Sequence, residues 1–172
     1  MKTFYLYLFT SVSLLAACSK EGSTEGNQQD DPQKKKAEAF EAAIQNHSFR
    51  LTAFYSNTPI DYDQTDNVVK AETDLWDYTR PYVRDDIDFF QADHTVVITQ
   101  GDVKWAGDDA ATIQRNYSVT YDKSNIYLTF VDYNYSAMKY TLSDYNSGAM
   151  LLYVDWNGKA NLFSKFEVVQ NP

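Results

Sequence analysis

Tyr117-Ser118-Val119-Thr120-Tyr121-Asp122-Lys123-Ser124-Asn125-Ile126-Tyr127-Leu128-Thr129-Phe130 is the stretch that decides the fold. Tyr117, Val119 and Tyr121 share one parity, a polar turn-forming run follows, and Ile126, Leu128 and Phe130 take up the alternation again. Side chains along a strand point to opposite faces in turn, so the stretch predicts a β-hairpin with one buried face. The pattern continues in both directions. Met138, Tyr140 and Leu142 alternate, and strands are predicted at Met150 to Val154 and Leu162 to Val169. Upstream, Phe49, Leu51, Ala53 and Tyr55 share a parity, followed by short strands at Ile87 to Phe90 and Thr95 to Thr99. The connections carry turn chemistry: Gln100-Gly101-Asp102, Asp144 to Gly148, and Asn157-Gly158, whose residues tolerate the positive φ of a type I′ turn. A short amphipathic helix is predicted over Ala37 to Ile44, with Phe40 and Ile44 one turn apart. About eight strands in sequential antiparallel order give an all-β fold, either an up-and-down barrel or two stacked sheets. A barrel is preferred because closure removes edge strands that this many aromatic residues would expose to aggregation. Such a barrel is either filled by side chains or holds one small apolar ligand, and the pattern leaves that choice open.

The beginning of the chain has a different composition. Lys2, an apolar run from Phe4 to Leu15, and Leu15-Ala16-Ala17-Cys18 fit a secretory signal with a small-residue cleavage site. The run is too short for a permanent transmembrane helix. A cysteine directly after the cut resembles the lipobox of bacterial lipoproteins, which implies lipidation of Cys18 and a mature chain beginning there. Cys18 is the sole cysteine; it cannot form an internal disulfide, and acylation needs no partner. Each buried methylene of an acyl chain contributes about 0.8 kcal/mol, so a multiply acylated terminus stays in the membrane. Residues 18 to 36 hold no apolar cluster and are expected to be a disordered tether. The expected organisation is therefore a signal peptide over 1 to 17, a tether over 18 to 36 and one β domain over 37 to 172. The formal net charge of −9 disfavours nucleic acid, whose phosphates require a basic face.

The run Asp85-Asp86-Ile87-Asp88-Phe89-Phe90-Gln91-Ala92-Asp93-His94-Thr95, continuing to Gly101 and Lys104, resembles the central motif of the lipocalin-like domain family of bacterial envelope lipoproteins. Members of that family read as an aspartate pair, an aromatic residue shortly after, a turn, a strand and a glycine. The helix followed by Phe49-Arg50-Leu51 agrees with the same layout, and the resemblance spans residues 38 to 169. Where relatives often carry cysteines this chain has Tyr82 and Trp105, and Phe49 and His47 stand at the places of a signature tryptophan and glycine. The resemblance implies a lipocalin-like barrel and an envelope location, expected at the outer membrane; it implies no reaction.

Candidate sites divide accordingly. Asp85 and Asp86, at the start of a strand, are expected to accept backbone N–H bonds and fix a turn; as neighbours they point to opposite faces and make a poor catalytic pair. Asp61, Asp63, Thr65, Asn67 and Glu72 fall at calcium-loop positions, but Asp66 occupies the position that needs glycine, and a solvated acidic loop is expected instead. His47 and His94 lie on different elements with no zinc spacing. Nucleophile-elbow, phosphate-loop and dinucleotide motifs do not occur in the sequence. No enzyme activity, cofactor or metal is expected. With 14 Tyr, 10 Phe and 3 Trp, most aromatics belong to half-buried strands. Trp76, Tyr78 and Tyr82 lie in a long segment before the aspartate pair that would cover a barrel mouth. The expected function is a lipid-anchored, non-catalytic binding domain for a small apolar ligand or a protein partner, with Phe49, Trp76, Tyr82, Leu128, Tyr140 and Phe166 as ligand-facing residues. Two alternatives remain. One is a hydrolase inhibitor or immunity-type lipoprotein, since Ser147-Gly148-Ala149 and Trp156 to Ala160 resemble membrane-bound lysozyme inhibitors. The other is a surface carbohydrate-binding accessory using Trp76, Trp105 and Trp156.

Overall fold

A computed structural model describes residues 31–63, 70–105, 110–131 and 136–170. Its elements in chain order are α1 (Pro32–Ile44), β1 (His47–Asp61), β2 (Ala71–Asp74), a 3-10 turn (Trp76–Tyr78), α2 (Pro81–Arg84), β3 (Ile87–Phe90), β4 (Thr95–Thr99), β5 (Thr112–Tyr121), β6 (Ile126–Val131), β7 (Ala137–Tyr145), β8 (Ala149–Trp156) and β9 (Ala160–Val168). From β3 to β9 each strand pairs antiparallel with the next; β3 also pairs with β1, and β9 returns to β1. The eight strands β1 and β3 to β9 thus close a barrel, and closure satisfies the backbone donors and acceptors that a sheet edge would leave open. β2 lies outside the ring, pairing with the far end of β1 from Tyr55 to Asp61.

All eight expected strands are barrel staves. β2 was not expected, and the helix begins earlier than expected. Asp31 accepts the backbone N–H groups of Gln33 and Lys34 from the N-cap position, with Pro32 opening the helix, a standard way to satisfy the first free donors. Lys34, Lys35 and Lys36 are therefore helical, so the stretch from Pro32 to Lys36, expected as tether, belongs to α1.

The parity of β1 also needs correction. Leu51 pairs with Phe166, but Ala53 pairs with Lys165, so Thr52 is the extra residue of a bulge. A bulge reverses which residues face inward. Phe49, Leu51, Phe54 and Ser56 face the interior, while Tyr55 faces outward and stacks on Phe163 with centroids 5.2 Å apart.

The turns β3–β4, β5–β6 and β7–β8 lie at one end of the barrel, where α1 crosses. Phe40 is fully buried there, edge-on to Tyr145 at 5.2 Å. Glu41 reaches His94 Nε2 at 2.9 Å, and Gln33 donates to the carbonyl of Lys123. Behind the helix, Ile44, Phe49, Phe90, Val96, Tyr117, Leu128, Met150 and Leu152 form one continuous apolar core. The β8–β9 hairpin turns at the opposite end. Asn157 (φ 56°) and Gly158 (φ 66°) both hold positive φ, as a type I′ turn requires.

Candidate functional site

The end away from α1 is hollow. A cavity of about 380 Å3 is lined by Leu51, Phe54, Ile98, Phe130, Met138, Tyr140, Val154, Leu162, Ser164 and Phe166 from the staves, and by Tyr62, Tyr78 to Arg80, Tyr82 and Val83 from the mouth. That volume lies in the range of small-molecule sites. The barrel is therefore filled at one end and empty at the other, because the large inward side chains Phe49, Phe90, Leu128 and Met150 cluster beneath the helix.

The cover over the cavity is built by the segment joining β2 to β3. Leu75 is fully buried and its N–H donates to the carbonyl of Phe54, tying the segment to β1. Arg84 donates to the carbonyls of Trp76 (2.6 Å) and Thr79 (3.0 Å) while its guanidinium lies over the Trp76 ring at 5.2 Å. The last residue of α2 thus holds both ends of the 3-10 turn. At the rim, Tyr62 packs against Phe54, Tyr78 and Trp156, with centroids 5.5 to 6.0 Å apart.

Two carboxyls face this apolar space. Asp88 is directly opposite Phe49 on β1 and Ile98 on β4, so it shares their inward face. Asp88 is half-buried; desolvation by the surrounding wall raises its pKa to about 7, and the neighbouring Asp86 adds to the rise. Asp86, two residues earlier, is buried; desolvation lifts its pKa to about 6, against the opposing effect of the Gly101 N–H that it accepts at 3.0 Å. Asp88 takes no hydrogen bond or ion pair among the described residues.

The aspartate pair has the turn-fixing part expected of it. Asp86 receives Gly101 N–H, and Asp85 receives Val103 N–H at 3.2 Å, so both carboxyls grip the loop leaving β4. The spacing between the pair and the glycine has a steric cause. A methyl at Gly101 would fall on the carboxyl carbon of Asp85, with Asp85 Cβ only 2.8 Å away. Gly101→Ala is expected to expel Asp85 and lose about 1–2 kcal/mol, measured as a lower urea midpoint at unchanged slope. An unchanged midpoint would mean that Asp85 swings aside without cost.

Of the ligand-facing residues expected from sequence, Tyr82, Tyr140 and Phe166 line the cavity. Phe49 and Leu128 do not. They face inward but belong to the filled end, where each is almost wholly buried. Trp76 also stays off the cavity wall, packing on the core beneath Arg84. Asp88 is a lining residue that the sequence expectations do not include. Its signal was present in Ile87-Asp88-Phe89-Phe90, where an acid shares the parity of a buried phenylalanine. Among the other candidates, His47 donates locally from Nδ1 to the Gln45 carbonyl and His94 meets Glu41, each away from the cavity. Asp61 and Glu72 fall on β1 and β2, with Glu72 paired to Lys70; Thr65 and Asn67 lie outside the described residues, as do Cys18 and the signal segment. Ser147-Gly148 and Trp156-Gly158 occupy opposite ends of β8, roughly 25 Å apart at strand rise, so no single loop carries both.

Fold and site define a closed eight-stranded antiparallel β-barrel with a half-empty, acid-bearing interior. No family model, curated protein or solved structure matches the chain.

Proposed function

We propose that this protein is a lipid-anchored lipoprotein of the cell envelope, held at the outer membrane through Cys18, whose lipocalin-like barrel binds a small, largely apolar ligand without transforming it. The observation that carries this reading is the cavity of about 380 Å3, walled by aliphatic and aromatic side chains and covered by its own segment. A cavity of that size leaves the apolar part of its lining without packed neighbours. A ligand would supply them. The lipobox-like Leu15-Ala16-Ala17-Cys18 supports the anchor.

Native mass spectrometry of the protein purified from its host envelope tests both parts. The expected result is a mature chain starting at an acylated Cys18, with a co-purified small molecule. Ser164→Phe, projecting a ring from β9 into the cavity, is expected to reduce the bound fraction at least tenfold while the barrel still folds. A bound species that survives this substitution undiminished would have to sit elsewhere, and a chain that is always empty would overturn the ligand reading.

The outer wall favours a second reading, recognition of a partner by the barrel surface. Tyr55, Phe163 and Tyr153 lie side by side across β1, β9 and β8 on the outward face, with centroids 5.2 and 5.4 Å apart. Half-exposed rings in a row suit a flat apolar partner surface. An empty cavity in the native experiment would shift the proposal to this face.

A further inference from the structure

If the cavity holds a small ligand, as proposed above, the chemistry of that ligand follows from the carboxyls in its wall. Asp88 sits on the inward face between Phe49 and Ile98, with Asp86 roughly 7 Å away at two residues of strand rise. A carboxylate in apolar surroundings is unfavourable unless a cation or donors compensate it. Asp86 has the Gly101 N–H. Asp88 has no such partner and no ion pair among the described residues. The basic side chain lining the cavity is Arg80, whose residue is exposed and whose guanidinium donates to the Tyr82 hydroxyl at 2.6 Å at the rim. The remaining titratable groups facing the space are the phenols of Tyr62, Tyr78, Tyr82 and Tyr140. The interior therefore offers two acids and several ring faces. Ring faces attract cations, most strongly where water is excluded.

We infer that the cavity selects an apolar molecule bearing one protonated amine, its body against the aromatic wall and its ammonium at Asp88 with Asp86 beside it. An ammonium brings the charge and the donors that the wall lacks. A carboxylate-bearing ligand would meet two like charges inside and would find a cation at the rim alone. Binding also has a proton signature. Near neutral pH Asp88 is partly protonated, and an incoming ammonium favours the ionised form, so a proton is released into solution on binding.

Three probes of matched shape test this by isothermal titration calorimetry at pH 7: tryptamine, uncharged 3-ethylindole and anionic indole-3-propionate. The expected result is that tryptamine binds at least tenfold more tightly than either of the others, with a heat that changes with the ionisation enthalpy of the buffer. In Asp88→Asn the preference for tryptamine over 3-ethylindole is expected to fall at least fivefold and the buffer dependence to shrink, while 3-ethylindole still binds. Equal affinities for tryptamine and 3-ethylindole, or tighter binding of indole-3-propionate, would overturn the inference while leaving an apolar-ligand cavity standing. Failure of all three probes to bind would overturn both.

Discussion

Phe40→Ala is expected to cost about 3–4 kcal/mol, the largest loss of any single truncation considered for this domain, and to lower the thermal midpoint by roughly 10 °C. Phe40 is fully buried at the meeting of α1 with the barrel, against Tyr145 and the core of Phe49, Phe90 and Leu128. An isolated helix as short as α1 has little stability of its own in water, so its packed face supplies nearly all of it. Loss of the ring leaves a cavity and also loosens the helix that closes the barrel end. Phe40→Leu is expected to lose much less, about 1 kcal/mol, and Glu38→Ala on the exposed side to stay within about 0.5 kcal/mol. Equal midpoints for Phe40→Ala and Glu38→Ala would mean that the barrel end is stable without its helix.

Asp88→Asn is expected to act in the opposite direction, raising stability at pH 8 by about 2 kcal/mol and the thermal midpoint by about 5–10 °C. An unfolded aspartate titrates near 3.9, whereas Asp88 in the folded barrel titrates near 7. Between those values the folded state binds more protons than the unfolded one, so stability falls as pH rises. The penalty is absent below pH 4, grows through the interval and is complete above pH 7. Asp86, lifted to about 6, adds a slope of the same sign. The full shift of Asp88 corresponds to about 4 kcal/mol by the unit conversion, and access of the side chain to the cavity brings the expected figure down to about half. Asparagine removes the charge, so wild type and variant should be similar at pH 4 and diverge at pH 8. Coinciding midpoints at both pH values would mean that the Asp88 carboxylate costs the empty barrel nothing. Side chains that weaken a fold persist where function requires them.

The strand pattern was legible because each stave buries one face, and period-two alternation records that burial directly. Ile126, Leu128 and Phe130, or Met138 and Tyr140, could be placed inward before any coordinates. β2 escaped because Ala71-Glu72-Thr73-Asp74 has no apolar alternation; it lies outside the barrel ring and is held through its pairing with β1. The bulge at Thr52 escaped because an extra residue leaves composition unchanged while reversing parity, which moved Tyr55 outside and Phe54 inside. The early start of α1 was visible in Asp31-Pro32, a helix-opening pair overshadowed by the polar run around it. Which half of the barrel is hollow was not legible: Phe49, Leu128, Tyr140 and Phe166 all carry the inward pattern, and whether each meets a neighbour or a void depends on the levels at which inward side chains of different staves coincide.

The position of α1 has a consequence for handling the molecule. The helix lies across the filled end, so the chain preceding Asp31 joins the domain at the pole opposite the cavity mouth. Whatever is joined to that terminus, a sensor chip or a fluorescent reporter, connects to the domain at its filled end rather than at the cavity mouth. Coupling through the N-terminus is thus the geometry for surface-based binding measurements, whereas attachment at Tyr78, Tyr82 or the β8–β9 hairpin would turn the barrel mouth-down.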